Sequence, residues 1–499
     1  MSSLTTLTDP GAVAKSVTAT ASGAVAAGKP VVVNSNGTVQ QVAITSTFDG
    51  SMGTADDQGT SYRAGNISGA CYHTGEDRTV LAFPNSGNNY YATCTTATIN
   101  GTTMTMNAPT VINSTACAFV KCVYDTSQNR LMFFYKYNGN GNYAKVRSAT
   151  LSGNTFTFKN EVNNAISTQG LGNKPGDMCN VDDGKIALLW GEGPSVATAQ
   201  IVSMEGPQFA QVNTALTVST SNSWNARCAS GKKGEFLCIL GKPNNLEYVA
   251  CTVSGNTITK GTAVTYSGSY STYNVDVASG FWDGYTTPES TYLAIQQPPN
   301  GSAGDAEAVV VTVSGTTPTI NTALSLTADP SSNVFTMGWG GASNQAIVYY
   351  RSQATSSKGY AVELTYSGTT VTEGDIVEVG TSNYMNWGVA WDQDAKKSIF
   401  MYQDGGNSDT AEVNVYTPSG DTTSLTAQNF LGISTGAASN TEEVSTIVRG
   451  GTAKNLSSLT VGTNYYVQRN GTLGTTAADP SVKAGKAIST TSLLLTGDS

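Results

Sequence analysis

At 499 residues the chain has the length of about three average domains. Its 35 acidic and 26 basic side chains give a formal net charge of −9, which excludes the basic surface that holding a nucleic-acid backbone requires. Charged residues are only 12% of the sequence and glycine supplies 53 positions, a composition typical of a turn-rich all-β protein.

The rare residue types narrow the chemistry further. His73 is the one histidine in the chain, so histidine triads and paired-histidine metal sites are excluded, and we assign His73 no role. The eight cysteines lie mostly inside apolar segments and are expected to be buried free thiols rather than disulfides. We therefore expect no catalytic residues, no cofactor and no metal.

The start of the chain lacks both the cationic and the apolar region of a signal peptide, and no apolar run is long enough to cross a bilayer. We expect synthesis in a cytoplasm and no membrane insertion. The first predicted element is a hairpin over residues 28–39, in which the Asn36-Gly37 pair forms the turn between two short strands.

A repeat of 50 to 56 residues follows and fills the middle of the chain. Its first marker is a short apolar run that occurs seven times, starting at Val80, Leu131, Ile186, Phe236, Tyr292, Ala346 and Ser398. Its second marker is a hairpin glycine 19 to 23 residues after each start, at Gly101, Gly153, Gly206, Gly255, Gly315, Gly368 and Gly420.

A segment of small residues precedes each apolar run, for example Gly69–Tyr72, so one repeat contains four antiparallel strands. Four strands every 50 residues, with no helix between them, are typical of a β-propeller blade. The small-residue strand suits the crowded innermost position, and the apolar run suits a strand buried on both faces. A β-helix or a fibre of stacked sheets is the competing interpretation, although its repeats are usually shorter.

The chain ends with a second hairpin that is similar to the first, because Gly462 and Gly471 have the spacing of Gly28 and Gly37. The simplest interpretation is a small β-rich module made from both chain ends. We therefore predict three segments: residues 1–45 and 428–499 form an anchoring or oligomerisation module, and residues 46–427 form an inserted seven-bladed β-propeller.

The same end segments, residues 20–42 and 429–496, resemble a module of tailed-bacteriophage virion structural proteins of the fibre or appendage type. The resemblance lies in Asn429–Ala438, Leu459–Leu473 and Val482–Ser489, and in the hairpin over residues 28–39. It implies a virion location, partners among other virion proteins, and homo-oligomerisation through the terminal module.

Carboxylates could make the propeller a glycosidase or depolymerase acting on host surface polysaccharide, because such enzymes use two facing acids. Most candidates fall in the turn between the first and second strands, where Asp is favoured for turn formation alone. The candidates are Glu76, Asp77, Asp182, Asp183, Asp276, Asp283, Asp392 and Asp394.

Aromatic residues near the loops between second and third strands are candidate ligand contacts, because aromatic rings stack on sugars and neighbouring amides form hydrogen bonds with them. A longer loop in the fifth repeat adds three more. The candidates are Tyr90, Tyr137, Tyr143, Tyr248, Phe281, Trp282, Tyr285 and Tyr360.

These observations predict a non-enzymatic bacteriophage structural protein, a capsid or tail appendage that displays a propeller for attachment to a host surface or glycan. The alternatives are the glycosidase or depolymerase described above, and a cytoplasmic interaction scaffold.

Overall fold

The structure is a computed structural model in which nearly all described residues belong to strands and turns. It describes residues 15–46, 51–52, 56–57, 68–100, 103–138, 144–159, 176–192, 196–204, 211–212, 215–220, 225–242, 245–267, 275–279, 290–296, 306–327, 330–341, 344–352, 358–380, 384–404, 410–418, 421–468, 471–477 and 480–496. The chain forms two compact units: a first unit of residues 1–48 with 419–499, and a second unit of residues 49–418. In the described part of the chain, no helix has the length and apolarity that a membrane span requires.

Four short strands begin the first unit: β1 (Ser16–Thr20), β2 (Pro30–Val33), β3 (Val39–Gln41) and β4 (Ile44–Ser46). The predicted hairpin over residues 28–39 is confirmed, since Val33 pairs with Val39. Gly37 has φ 81° in its turn, a backbone conformation that glycine adopts without steric cost.

The second unit is built from repeats of antiparallel strands, as predicted. In chain order, the first three strands of each repeat are β7 (Gly69–His73), β8 (Arg78–Asn85) and β9 (Tyr91–Asn100); β11 (Thr110–Asp125), β12 (Arg130–Tyr137) and β13 (Ala144–Ser152); β15 (Asp177–Asp182), β16 (Lys185–Glu192) and β17 (Val196–Ser203); β20 (Asn225–Ser230), β21 (Glu235–Lys242) and β22 (Asn245–Ser254); β25 (Val275–Ser279), β26 (Thr291–Gln296) and β27 (Glu307–Ser314); β30 (Pro330–Trp339), β31 (Gln345–Ser352) and β32 (Lys358–Ser367); β34 (Tyr384–Asp392), β35 (Lys397–Asp404) and β36 (Thr410–Thr417).

Each third strand also pairs with an outer strand, which in several repeats consists of two pieces. These outer strands are β10 (Thr103–Met106), β14 (Thr155–Phe158), β18 (Gln211–Val212) with β19 (Leu216–Ser219), β23 (Thr257–Lys260) with β24 (Val264–Ser267), β28 (Thr317–Ile320) with β29 (Leu324–Ser325), and β33 (Thr370–Gly380). In the last repeat β5 (Ser51–Met52) and β6 (Asp56–Asp57) take this position.

Two predicted features of the repeat are confirmed. Second strands are buried on both faces, and β21 is buried at every residue because its alternating side chains enter two different cores. The hairpin glycines at 153, 255, 315 and 368 have φ between 57° and 63°. Gly101, Gly206 and Gly420 lie outside the described residues.

The last repeat differs from the prediction, which placed its outer strand after Gly420. Residues Asp421–Thr423 form β37, and this strand pairs with β4 inside the first unit. The edge of β36 pairs instead with β5 and β6, from the start of the second unit, with Tyr416 opposite Met52. Both chain ends of the second unit therefore meet in one sheet.

First strands of neighbouring repeats approach each other very closely. A Cβ atom placed on Gly69 would lie 2.7 Å from the backbone nitrogen of Cys122 and 2.8 Å from Cα of Lys121. A Cβ atom on Gly388 would lie 3.1 Å from the carbonyl carbon of Gly69. Glycine is therefore required where β7 passes β11. This agrees with the prediction that the small-residue strand occupies a crowded position.

The first unit resumes with β37, β38 (Phe430–Ser434), β39 (Glu443–Ile447), β40 (Thr452–Ala453), β41 (Asn464–Val467), β42 (Leu473–Gly474), β43 (Lys483–Ser489) and β44 (Ser492–Leu495). One sheet, in the order β1-β39-β38-β2-β3, combines strands from both chain ends, and another has the order β40-β44-β43-β41-β42. Val467 pairs with Leu473, so the second predicted hairpin also forms.

Candidate functional site

The first strands of the second unit enclose two adjoining cavities. The outer pocket has a volume of about 250 Å³ and is lined by Ala70, Cys71, Tyr72, Thr74, Cys122, Val123, Tyr124, Thr126, Met178, Cys179, Asn180, Ala229, Ser230, Val277, Met337, Gly338, Trp339, Ala390 and Trp391. The inner pocket has a volume of about 170 Å³ and is lined by Ser68, Gly69, Ala70, Lys121, Cys122, Val123, Asp177, Met178, Cys228, Asp276, Val277, Thr336, Met337, Gly388 and Val389. Each of these first strands contributes to both pockets.

The order of the lining residues shows that the first strands run in the same direction. Lys121 of the inner pocket precedes Tyr124 of the outer pocket on β11, and Asp177 precedes Asn180 on β15. The outer pocket therefore lies where first strands end and turn into second strands. Charged residues line the inner pocket, whereas aromatic residues line the outer one.

Two tryptophans form one wall of the outer pocket. The Trp339 and Trp391 ring centroids are 5.4 Å apart with the planes at 74°, an edge-to-face contact that aromatic rings favour. Gly341 lies beneath Trp391 at φ 98°, and a Cβ atom at this position would collide with the indole ring. The glycine thus allows the indole to lie against the backbone beside the pocket.

Two tyrosines contribute to another part of the wall, and each hydroxyl is fixed by hydrogen bonds. The Tyr72 hydroxyl lies 2.7 Å from Oδ1 of Asp77 and 2.9 Å from Oδ2 of Asp394, which belongs to the last repeat. The Tyr124 hydroxyl donates to Oδ1 of Asn129 at 2.9 Å. Burial, followed by the hydrogen bonds to the two carboxylates, raises the pKa of Tyr72, so this phenol stays protonated.

Neutral polar groups complete the outer pocket. Asn180 donates from Nδ2 to the carbonyl oxygen of Tyr124 at 2.8 Å. Its buried Oδ1 has no hydrogen-bond partner among the described residues and can accept one from a ligand. Ser230, Thr74 and Thr126 add hydroxyl groups to the lining.

Charged groups dominate the inner pocket. Oδ2 of Asp276 accepts hydrogen bonds from Oγ1 of Thr336 at 2.9 Å and from the backbone of Met337 at 3.0 Å, and its Oδ1 lies 3.6 Å from Nε of Arg227. Oδ2 of Asp177 accepts from the backbone nitrogen of Cys228 at 3.0 Å.

The pKa values of two groups in the inner pocket move in opposite directions. Burial lowers the pKa of the Lys121 ammonium, against the attraction of Asp177 and Asp276. Burial raises the pKa of Asp177, against the attraction of Lys121 and Arg227. Both shifts favour the neutral form of the group, because removal from water disfavours charge.

The predicted state of the cysteines is confirmed: all eight are free, and seven are buried. Cys71, Cys122 and Cys179 line the outer pocket. Burial raises the pKa of the Cys71 and Cys228 thiols, which therefore stay protonated. Among the described residues no cluster of three or more His, Cys, Asp or Glu side chains is arranged to hold a metal ion.

The predicted contact residues occupy different environments, and none of those described lines either pocket. Tyr90 is 51% exposed, Tyr137 lies under the ammonium of Lys145 at 4.2 Å, and Tyr360 stacks on Tyr350 with ring centroids 5.6 Å apart. Tyr143, Phe281, Trp282 and Tyr285 lie outside the described residues.

Tyr248 corrects the sequence-based interpretation. Its side chain is fully buried and its hydroxyl contacts Oε1 of Gln296, so it is not available to a surface ligand. The alternation of β22 directs Tyr248 into the core shared with the next repeat, beside Tyr292.

His73 and the turn carboxylate Asp392 make contacts that stabilise the fold. His73 is fully buried, stacks on Tyr124 with ring centroids 4.0 Å apart, and accepts at Nδ1 from the backbone of Glu76 at 3.2 Å. Burial lowers its pKa, so the ring is neutral. Asp392 accepts from the backbone nitrogens of Asp394 and Ala395, as expected of a turn residue.

The four aromatic residues that shape the outer pocket are not among the contact residues predicted from the sequence. A signal was present, because Tyr72, Tyr124, Trp339 and Trp391 all lie at or near the end of a predicted first strand. Aromatic residues recurring at this position in otherwise small-residue strands indicate a shared location in the fold.

Comparisons with known proteins show the fold. No family model matches the chain, and no curated protein matches it. Among solved structures, the BP39L lectin from Burkholderia pseudomallei is similar with a TM-score of 0.52 at 10% identity, over 72% of this chain and 98% of that chain. A six-bladed β-propeller lectin from Aleuria aurantia matches with a TM-score of 0.43 at 11% identity, over 64% of this chain and 98% of its own. AofleA from Arthrobotrys oligospora matches with a TM-score of 0.42 at 8% identity, over 83% of this chain and 94% of its own. Together with the strand topology, the likeness to the Burkholderia protein shows a β-propeller fold.

Proposed function

We propose that this protein is a non-enzymatic, carbohydrate-binding β-propeller of seven blades, and that its first unit attaches it to a tailed bacteriophage particle. The observation that carries the binding function is the outer pocket, where Trp339, Trp391, Tyr72 and Tyr124 surround a cavity beside neutral hydrogen-bonding groups.

Closure of seven blades into a ring is supported by the order of neighbours around the two pockets. β7, β11, β15, β20, β25, β30 and β34 all contribute to both linings, and β34 passes close beside β7 at Gly388 and Gly69. The pairing of β36 with β5 and β6 joins the start and the end of the unit. Electron cryomicroscopy of the protein should show seven blades around an axis, and six blades or an open ring would contradict this part of the proposal.

The outer pocket suits a sugar for two physical reasons. Its volume of about 250 Å³ is below the roughly 300–1,000 Å³ of pockets for drug-sized ligands, so it fits a ligand as small as one monosaccharide. Aromatic faces cover the apolar C–H surface of a pyranose, and groups such as Oδ1 of Asn180 accept hydrogen bonds from its hydroxyls.

A glycan array followed by calorimetry with the strongest monosaccharide tests this binding. Trp391→Ala should weaken binding at least tenfold, because it removes one aromatic wall. Tyr360→Ala is the matched control, since Tyr360 is a half-buried aromatic that lines neither pocket. Unchanged affinity in Trp391→Ala, or a larger loss in Tyr360→Ala, would contradict the location of the site.

The absence of hydrolysis is proposed because the carboxylates near the pocket have other partners. Asp77 and Asp394 both lie within hydrogen-bond distance of the Tyr72 hydroxyl, and Asp392 accepts from the backbone of its own turn. Asp177 and Asp276 share the inner pocket, whose volume of about 170 Å³ is too small for the two sugar rings that flank a scissile bond. Release of saccharide from host envelope polysaccharide by the purified protein would overturn this part of the proposal.

Assembly through the first unit is supported by two exposed apolar side chains, Val461 at 59% and Ile488 at 52%. They lie on neighbouring segments, because the backbone nitrogen of Gly462 donates to the carbonyl oxygen of Ala487 at 2.8 Å. Exposed apolar groups that lie together often mark a contact between proteins.

Light scattering of the full chain tests assembly, and mass spectrometry of purified phage particles tests the virion location. Val461→Asp combined with Ile488→Asp should lower the molar mass to that of a monomer, whereas Ile376→Asp, at an exposed site in the second unit, should not. A monomeric wild-type protein contradicts assembly, and absence from intact particles contradicts the virion role.

A further inference from the structure

The inner pocket contains an ammonium group, that of Lys121, with no direct partner among the described residues. Asp276 is held by Thr336, Met337 and Arg227, and Asp177 by the backbone of Cys228. In the described part of the chain, no acceptor lies within hydrogen-bonding or ion-pair distance of the Lys121 ammonium. The carboxylates in the pocket therefore have hydrogen-bond donors, whereas the described part of the chain offers no acceptor to the lysine.

A second group in the inner pocket, the Ser68 hydroxyl, is also unpartnered as far as the described residues go. The side chain of Ser68 is fully buried and lines the pocket, and its hydroxyl makes no hydrogen bond to any described residue. Buried hydroxyls are almost always hydrogen-bonded, so an oxygen atom of a ligand or of water is expected beside it. Ser68 and Lys121 thus both point to an acceptor that enters the pocket.

The inner pocket is within reach of a ligand in the outer pocket. The two cavities share lining residues from several strands, among them Ala70, Cys122 and Met337. Lys121 in the inner pocket and Tyr124 in the outer pocket are three residues apart on β11, a rise of about 10 Å along the strand. The carboxylate of a hexuronate lies outside the pyranose ring, so a ring in the outer pocket can direct the carboxylate into the adjoining inner pocket.

We propose that the protein selects acidic sugars: a hexuronate ring occupies the outer pocket, and its carboxylate enters the inner pocket to accept hydrogen bonds from Lys121 and Ser68. This inference rests on the proposed sugar-binding function and names the class of sugar. Burial alone favours the neutral amine of Lys121, and a ligand carboxylate beside it favours the charged ammonium. Hydrogen bonds between an ammonium and a carboxylate are about twice as strong as neutral ones, which gives the lysine its discriminating effect.

The other charges in the pocket are compatible with an anion. The groups that face Lys121 are Asp177, Asp276, Arg227 and the Cys122 thiol. Nε of Arg227 lies 3.6 Å from Oδ1 of Asp276, so the guanidinium compensates the charge of this carboxylate. Burial raises the pKa of Asp177, against the attraction of Lys121 and Arg227, and so disfavours a second negative charge beside a ligand carboxylate.

Calorimetry of the full chain with glucuronate and glucose tests the inference, because these sugars share a ring and differ at C6. Wild-type protein should bind glucuronate at least tenfold more tightly than glucose. Lys121→Met keeps the aliphatic stem, removes the charge, and should reduce glucuronate affinity to that of glucose while leaving glucose unchanged. Lys145→Met, at a lysine that lines neither pocket, is the matched control and should keep the preference.

Equal affinity for the two sugars in the wild type, or a preference retained in Lys121→Met, would overturn the inference. Should Lys121→Met fail to fold, Ser68→Ala decides: a threefold or greater loss for glucuronate alone supports the inference, and no loss overturns it. Binding without acid preference leaves the sugar-binding function intact, whereas binding of neither sugar, nor of any glycan on the array, refutes that function itself.

Discussion

Replacing Gly69 with alanine should destabilise the second unit, because the added methyl group has no space between two first strands. Its Cβ would lie 2.7 Å from the nitrogen of Cys122 and 2.8 Å from Cα of Lys121. Ordinary contacts between carbon atoms are about 3.5 to 4.0 Å, so the two backbones must separate by about 0.7 Å or more. Overpacking of this kind costs about 1–3 kcal/mol.

Differential scanning calorimetry measures the effect. The second unit spans residues 49–418, and an unfolding entropy of about 2.1 cal/mol/K per residue converts this cost into a Tm lowered by about 1 to 4 °C. Gly388→Ala should have a smaller effect, since its Cβ would lie 3.1 Å from the nearest atom, and Gly436→Ala none, since its surroundings are open. Equal Tm values for the Gly69 and Gly436 variants would refute the close approach of β7 and β11.

Three further predictions concern single groups. The first is measured by denaturant titration at several pH values. The free energy of unfolding of Asp177→Asn should increase relative to that of the wild type as pH rises from 4 to 8. The raised pKa of Asp177 means that the folded state binds its proton more tightly than the unfolded state, so wild-type stability is lost as pH rises through that value. In a thiol-reagent assay, the native protein should react slowly and the unfolded protein should react at all eight cysteines, because seven thiols are buried; rapid reaction of several native thiols would contradict that burial. Gly255→Ala should lower stability by about 1 kcal/mol through its φ of 59° alone, since no atom lies near its Cβ, and an unchanged denaturation midpoint would argue against that turn conformation.

The repeats were predictable because the signals that form them are local. The positive φ of a hairpin glycine such as Gly255 or Gly315 depends only on the residues of its own turn. The burial of a run such as Phe236–Ile239 follows from its apolar composition. The same holds for the two hairpins at residues 28–39 and 462–473, in which Val33 pairs with Val39 and Val467 with Leu473.

The candidate site was not predictable, because it forms only when distant strands converge. Lys121, Asp177 and Asp276 belong to three different repeats, and their proximity depends on the packing of first strands. Tyr248 was wrongly predicted to contact a ligand for the same reason. It lies near a loop in the sequence, but the neighbouring repeat covers its side chain, which therefore belongs to a core.

The pairing of β36 with β5 and β6 has a consequence for synthesis of the chain. Tyr416 and Met52 are more than 350 residues apart, so this sheet edge cannot form until the ribosome has made nearly the whole second unit. Each earlier repeat completes its outer edge with residues that follow its third strand closely in the chain, such as β10 and the start of β11 for β9, and can pair soon after it emerges. Until β36 is made, the strands β5 and β6 of the last sheet have no partner. During this stage of synthesis the nascent chain is most exposed to pairing with another copy.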